Sequence, residues 1–219
     1  MDCYIIGVGM TGFGKRPDDD HRTLARDALL LALGDAGLDD GQPIDQAFFG
    51  SVLMHRIGQT MIRGQATLRP PMDEGLLPRR MPITNVEGAC ATSSIALASA
   101  RAAVLSGTAG MVLAMGVEKM FDPADAGSAL KEIAGGFDNL DPDSWHAEYA
   151  RAAAESNGQW HPGAGRSVAM DTYGIQAQWH MHRHGTTQRQ IACAAAKSHC
   201  NGALNPNAQY RFAMTADEV

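Results

Sequence analysis

The chain has 219 residues, is 45% apolar and 19% charged, and carries a formal charge of −6. This is the make-up of a soluble protein that buries a core, in one large domain or two small ones. The acidic balance argues against a nucleic-acid partner, and no apolar run reaches the roughly 18 residues a membrane span requires.

The opening Met1-Asp2-Cys3-Tyr4-Ile5-Ile6-Gly7 has no basic leader and no long apolar stretch, so no signal peptide is expected. The four cysteines, Cys3, Cys90, Cys193 and Cys200, do not resemble a disulfide framework. A reducing cytoplasm is the expected compartment.

Residues 3–8 are apolar, and Gly7, Gly9, Gly12 and Gly14 then break regular structure. Leu24, Ala28, Leu31, Ala32 and Ala36 recur at helical spacing before Gly37. Ala47 to Leu53 reads as a strand, and a helix is predicted from about Gln59 to Leu68, ended by Pro70-Pro71. A second strand falls at about 82–86. The Ala-rich stretch after Cys90 predicts a helix to Gly107, and the fully apolar Met111 to Gly116 predicts a strand buried on both faces. Strands alternating with helices indicate an α/β layered domain with a mainly parallel sheet.

Beyond Met120 the texture changes. Residues 121–165 show weak periodicity and read as a long excursion; helical patterning returns at about 167–184 and 187–200. A polar turn is expected over Asn201 to Pro206, and Thr215 reads as the cap of another helix.

The most informative residue is Cys90, between the strand at 82–86 and the helix that follows. A thiol at a helix N-terminus meets unpaired N–H groups and a dipole that favour the nucleophilic thiolate. The plainer alternative is an inert cysteine acting as a small hydrophobe.

Five stretches carry a family resemblance. They are Ile5 to Lys15, Asp35-Ala36-Gly37-Leu38 with Ile44-Asp45, Asn85 to Ser94, Gly116 to Met120, and Ala196 to Arg211. In this order they resemble the thiolases, especially the sterol-carrier-protein type and its archaeal relatives. The resemblance implies a thiolase-like α/β fold whose first strand begins near Ile5. It sets an N-terminal domain over residues 1–118 and a loop domain over 119–219, with the family's C-terminal half absent.

It further implies that Cys90 accepts an acyl group from an acyl-CoA, with its own N–H stabilising the oxyanion. Asn85 and Ser93 beside it, and Lys197 and His199 in the loop domain, are implied substrate-binding residues. No cofactor is expected, since coenzyme A enters as part of the substrate. Asn85 and Glu87 have a second reading, as groups that satisfy loop backbone donors. Lys197 and His199 have one as a solvated helix face.

Two departures stand out. Ser93 stands where the family usually has glycine near the nucleophile, which reads as neutral variation or as altered chemistry. The general-base histidine and second cysteine of the thiolases belong to a C-terminal half, and none of the eight histidines here lies in a matching motif. The expectation is an acyl-CoA C-acyltransferase chain that works with a second polypeptide, in a hetero-oligomer built around a thiolase-type dimer. Two alternatives are a non-catalytic structural subunit and a retro-aldol lyase acting on an acyl-CoA.

His180 and His184 share a helix face, but without a supporting third ligand no metal site is expected. Cys193 and Cys200, seven apart, read as packing. Gly7, Gly9 and Gly12 meet a dinucleotide-loop spacing by chance.

Overall fold

The computed structural model describes residues 2–121, 124, 132–163 and 167–219. It divides into two compact units: Met1–Thr11 with Lys15–Pro123, and Gly12–Gly14 with Ala124–Val219.

The first unit alternates helix and strand. Its elements are α1 (His21–Asp35), β1 (Gln46–Gly50), α2 (Arg63–Asp73), β2 (Ile83–Val86), α3 (Thr92–Leu105) and β3 (Val112–Gly116). The strands form a parallel sheet in the order β2-β1-β3, with Phe48 beside both Thr84 and Ala114. After β2 the chain therefore crosses β1 to reach the opposite edge, and in open parallel sheets such a reversal marks where ligands bind.

The core lies where α1 and α2 meet the sheet. Phe49, Leu29, Leu68 and Leu77 are fully buried, each contributing about 1.5–3 kcal/mol by leaving water. On α1 the buried side chains are His21, Leu24, Ala25, Leu29 and Leu33. The predicted row through Ala28, Ala32 and Ala36 serves another purpose. Gly7 and Gly9 lie directly on it, where an added Cβ would stand 2.4 Å from the Ala32 carbonyl oxygen and 2.1 Å from that of Ala28.

Several expectations are corrected. The strand near Ile5 is not formed; residues 2–11 have no regular structure, and Tyr4, Ile5, Ile6 and Val8 are exposed. β3 is an edge strand with Ala114 exposed, so its apolar run does not reflect burial on both faces. α2 begins four residues later than predicted and runs through Pro70 and Pro71 rather than ending before them.

The second unit is helical: α4 (Pro142–Glu155), α5 (Val168–His184) and α6 (Gln188–Leu204), with a 3-10 turn at Ile133–Gly136. α4 lies within the stretch read as an excursion. Asp141 caps it by accepting the Ser144 N–H, and Pro142 fills its first turn, a start signal present in the sequence. The remainder of that stretch, residues 122–123, 125–131 and 164–166, lies outside the described residues. α5 and α6 lie where periodicity put them. α6 continues to Leu204, through residues expected to turn, and Thr187 and Gln190 form a capping box at its start.

α4 packs on α5 through buried Ala153 and Ile175, tied by Gln178 Nε2 donating to the Ser156 carbonyl oxygen at 3.1 Å. Residues 215–218 form a turn closed by the Thr215 N–H and hydroxyl donating to the Glu218 carboxylate, both at 2.8 Å. Among the described residues no helix is long and apolar enough to cross a membrane.

Candidate active site

Three of the sequence-selected residues lie along one continuous segment from β2 into α3. Asn85 is in β2, Cys90 is in a 3-10 turn at Ala89–Ala91, and Ser93 is the second residue of α3. The turn stands just past the C-terminal end of β2. Cys90 and Ser93 are both exposed.

The backbone that presents Cys90 is strained. Ala89 has φ +49°, the left-handed region that costs an L residue about 1–2 kcal/mol. Side chains offset that cost. Glu87 Oε1 accepts the Ala89 N–H at 2.5 Å. Thr92 Oγ1 accepts the Gly88 N–H at 3.0 Å and donates to the Ala89 carbonyl oxygen at 2.7 Å. The Ala91 N–H closes the turn on the Gly88 carbonyl oxygen at 2.9 Å.

α3 begins at Thr92 with Ala91 as its N-cap, a residue whose side chain cannot accept a hydrogen bond. Its buried face is made of small residues, Ala96, Ala100 and Ala103, which let the helix lie close to the sheet. Thr92 was not selected from the sequence. It is buried, and a Cβ on Gly50, the last residue of β1, would meet its Cγ2 at 2.5 Å.

Asn85 is occupied within the protein. Its Oδ1 accepts the Gly64 N–H at 2.6 Å and its Nδ2 donates to Gln65 Oε1 at 2.8 Å. Gln65 Nε2 in turn donates to the Ile83 carbonyl oxygen at 2.9 Å. Ile62 stands at the N-cap of α2 with φ +46° and caps nothing, so Asn85 supplies the cap from a neighbouring strand. Gly64 permits this approach: a Cβ there would stand 2.7 Å from both Phe49 Cβ and Ile83 Cγ2.

Glu118 braces the loop after β1. Its carboxylate accepts the Val52 N–H at 2.7 Å, the Leu53 N–H at 3.0 Å and the Ser51 hydroxyl at 3.2 Å. Arg63 Nη1 donates to the Ser51 carbonyl oxygen. The ends of β1 and β3 and the start of α2 are thus tied together by side chains.

Lys197 and His199 belong to the second unit, both on α6. Lys197 is exposed. The half-buried His199 ring lies 4.9 Å from that of Phe212, and its Nδ1 is buried without a partner among the described residues. On α5 the exposed His180 and His184 rings are 4.7 Å apart. Among the described residues no group of three or more His, Cys, Asp or Glu is placed to hold a metal ion. All four cysteines are free, with the Cys200 thiol 3.7 Å from the Met214 carbonyl oxygen.

A parallel sheet and a thiol just ahead of a helix match the setting expected for Cys90; the left-handed turn that presents it was not expected. Residues 3–215 match the family described as thiolase, N-terminal domain. The chain belongs to the thiolase family.

As a thiolase N-terminal domain it is 30% identical to the acetyl-CoA acetyltransferase of Methanothermobacter thermautotrophicus, covering all of this chain and 49% of that one. It is 32% identical to sterol carrier protein 2 of Gallus gallus, covering 99% of this chain and 36% of the relative. A third relative is the benzoylsuccinyl-CoA thiolase subunit BbsB of Thauera aromatica, 28% identical over 99% of this chain and 47% of the other. Among solved structures, the Ltp2-ChsH2(DUF35) aldolase matches with a TM-score of 0.52 at 21% identity, over 97% of this chain and 47% of that one; it bears on the fold alone. The chain spans about half the length, or less, of these curated relatives.

Proposed function

We propose that this thiolase chain performs the acyl-accepting half of an acyl-CoA C-acyltransferase reaction, with Cys90 as the nucleophile. The observation that carries the reading is the exposed Cys90 on its braced, left-handed turn between β2 and α3. Once a base has taken the thiol proton, Sγ attacks the carbonyl carbon of the acyl-CoA thioester. The carbonyl electron pair moves to oxygen, which the N–H of Cys90 holds. Collapse expels coenzyme A as its thiolate and leaves the acyl group on Sγ.

Ser93, beside Cys90, is proposed to contact the thioester and Asn85 to shape the strand that leads to it; Lys197 and His199, on α6 of the second unit, are proposed separately as coenzyme A-binding residues. The base, and the group that moves the proton in the carbon–carbon step, come from a second polypeptide or a further segment. Two things support this: the chain spans about half of its relatives' length, and Tyr4, Ile5, Ile6 and Val8 present an uncovered apolar strip. A thiolase-type dimer and a cytoplasmic location belong to the same reading, the latter in keeping with four free cysteines.

The test is peptide mass mapping of the native assembly after incubation with acetyl-CoA. One acetyl group on the Cys90 peptide, absent from the Cys90→Ser variant, is the expected result. No adduct, together with a Cys90→Ala variant that turns over as the parent does, would remove the acyltransferase reading. It would leave a thiolase-like lyase in its place.

A further inference from the structure

We infer that Thr92 is the positioning residue of this site, the side chain that decides where Cys90 Sγ stands relative to the end of the sheet. The inference rests on the acyl-transfer reading of Cys90.

Both ends of the Thr92 side chain are in use. Its hydroxyl spans the turn, accepting from the Gly88 N–H at 3.0 Å and donating to the Ala89 carbonyl oxygen at 2.7 Å. Those two contacts bracket the residue with the left-handed φ, and the next residue is Cys90. Its methyl group sits over Gly50 so closely that a Cβ there would stand 2.5 Å from Cγ2, with nothing else nearer than 3.8 Å.

Gly50 pairs with Val86 of β2 and Gly116 of β3, so it is fixed at the end of the central strand. Gly116 is also tightly placed, since a Cβ there would stand 2.9 Å from the Gly50 carbonyl oxygen. On the other side Gly88 is confined by Ile95, whose Cδ1 would be 2.2 Å from an added Cβ. The turn therefore has one rigid foothold, the methyl on Gly50, and one clasp, the hydroxyl across Gly88 and Ala89.

Valine at position 92 keeps the methyl contact and releases the clasp; serine keeps the clasp and vacates the foothold. Without the clasp, the Glu87 carboxylate on the Ala89 N–H and the Ala91 N–H on the Gly88 carbonyl oxygen are left to oppose relaxation of Ala89, and a nucleophile displaced by about 1 Å can lose up to about 100-fold in rate.

The experiment compares the full chain, in its native assembly, with Thr92→Val, Thr92→Ser, Gly50→Ala and the Gly50→Ala/Thr92→Ser pair. Each is read by the rate of Cys90 alkylation with iodoacetamide and by single-turnover acylation from acetyl-CoA. Thr92→Val is expected to lower the maximal acylation rate about 10- to 100-fold with little change in the acetyl-CoA concentration that half-saturates it. Thr92→Ser is expected to recover most of that loss.

Gly50→Ala is expected to slow acylation by forcing its new methyl against Thr92, and Thr92→Ser to relieve it by vacating that space. Thr92→Val acylated at the parental maximal rate would overturn the proposal. So would a Gly50→Ala defect of equal size with threonine or serine at 92, a comparison that stands even where Thr92→Val does not fold. A parent chain that alkylates but is never acylated would remove the proposed function, while the alkylation series still measures what Thr92 holds.

Discussion

Arg22 Nε donates to the carbonyl oxygen of Ala66 at 3.0 Å, across from α1 to α2. That carbonyl is the one a residue at position 70 would satisfy in a regular helix, and Pro70 has no N–H to give. At Pro70, α2 continues with a cation from another helix in place of the missing donor.

Arg22→Met therefore leaves the half-buried Ala66 carbonyl short of a donor. The expected loss is about 0.5–1 kcal/mol in the free energy of unfolding by urea. Pro70→Ala restores the helical donor, so the same substitution in that background is expected to cost much less. Equal costs in both backgrounds would show that Arg22 acts elsewhere.

Asn85→Ala removes the acceptor of the Gly64 N–H and the donor to Gln65 Oε1 together. Gly64 is buried, so the expected destabilisation is about 1–3 kcal/mol, measured by urea unfolding. Asn85→Asp keeps the acceptor and should recover part of it. A stability unchanged by Asn85→Ala would contradict the capping role. A raised half-saturating concentration of acetyl-CoA, at unchanged stability, would instead favour direct substrate contact.

Asp20 caps α1 by accepting the Thr23 N–H at 2.8 Å, and that bond, ahead of the Thr23 hydroxyl and Arg22, holds its carboxyl below the usual 3.8. The lowered value means the folded state favours the ionised form. The contribution is complete above 3.8 and is lost as pH falls through the folded value. Asp20→Ala should cost about 1 kcal/mol at pH 7. Its unfolding curve should converge on the parent's in acid; a gap that stays constant to low pH would refute the linkage.

His21 is only 5% exposed, and its Nε2 has no partner among the described residues. Burial pushes its pKa below 6.5, with Lys119 acting the same way and Glu118 and Asp20 acting against it. Protonation then favours unfolding, so stability declines as pH falls below 6.5 towards the folded value. Chemical denaturation between pH 7 and 5 should show a shallower decline for His21→Asn than for the parent. Parallel profiles would place the titrating group at another histidine.

Much of the first unit was legible because its signals are local. β1, β2, α1, α3 and the placement of Cys90 between a strand and a helix follow from apolar spacing and turn residues within a few positions. The two long helices of the second unit are likewise periodic. α4 was missed although Asp141 and Pro142 announce its start, because its buried face reduces to Ala153.

The amino-acid sequence by itself determined the alternation of elements, the strand–turn–helix setting of Cys90 and the family motif, since these depend on neighbours along the chain. The tertiary structure decided the rest: that α2 continues past Pro70, that Asn85 caps a helix 21 residues away, that β3 is an edge, and that Thr92 braces the nucleophile's turn against Gly50. Each of these is a donor, an acceptor or a volume supplied from a distant segment. No local pattern encodes that supply, because it exists only once the sheet has brought the segments together.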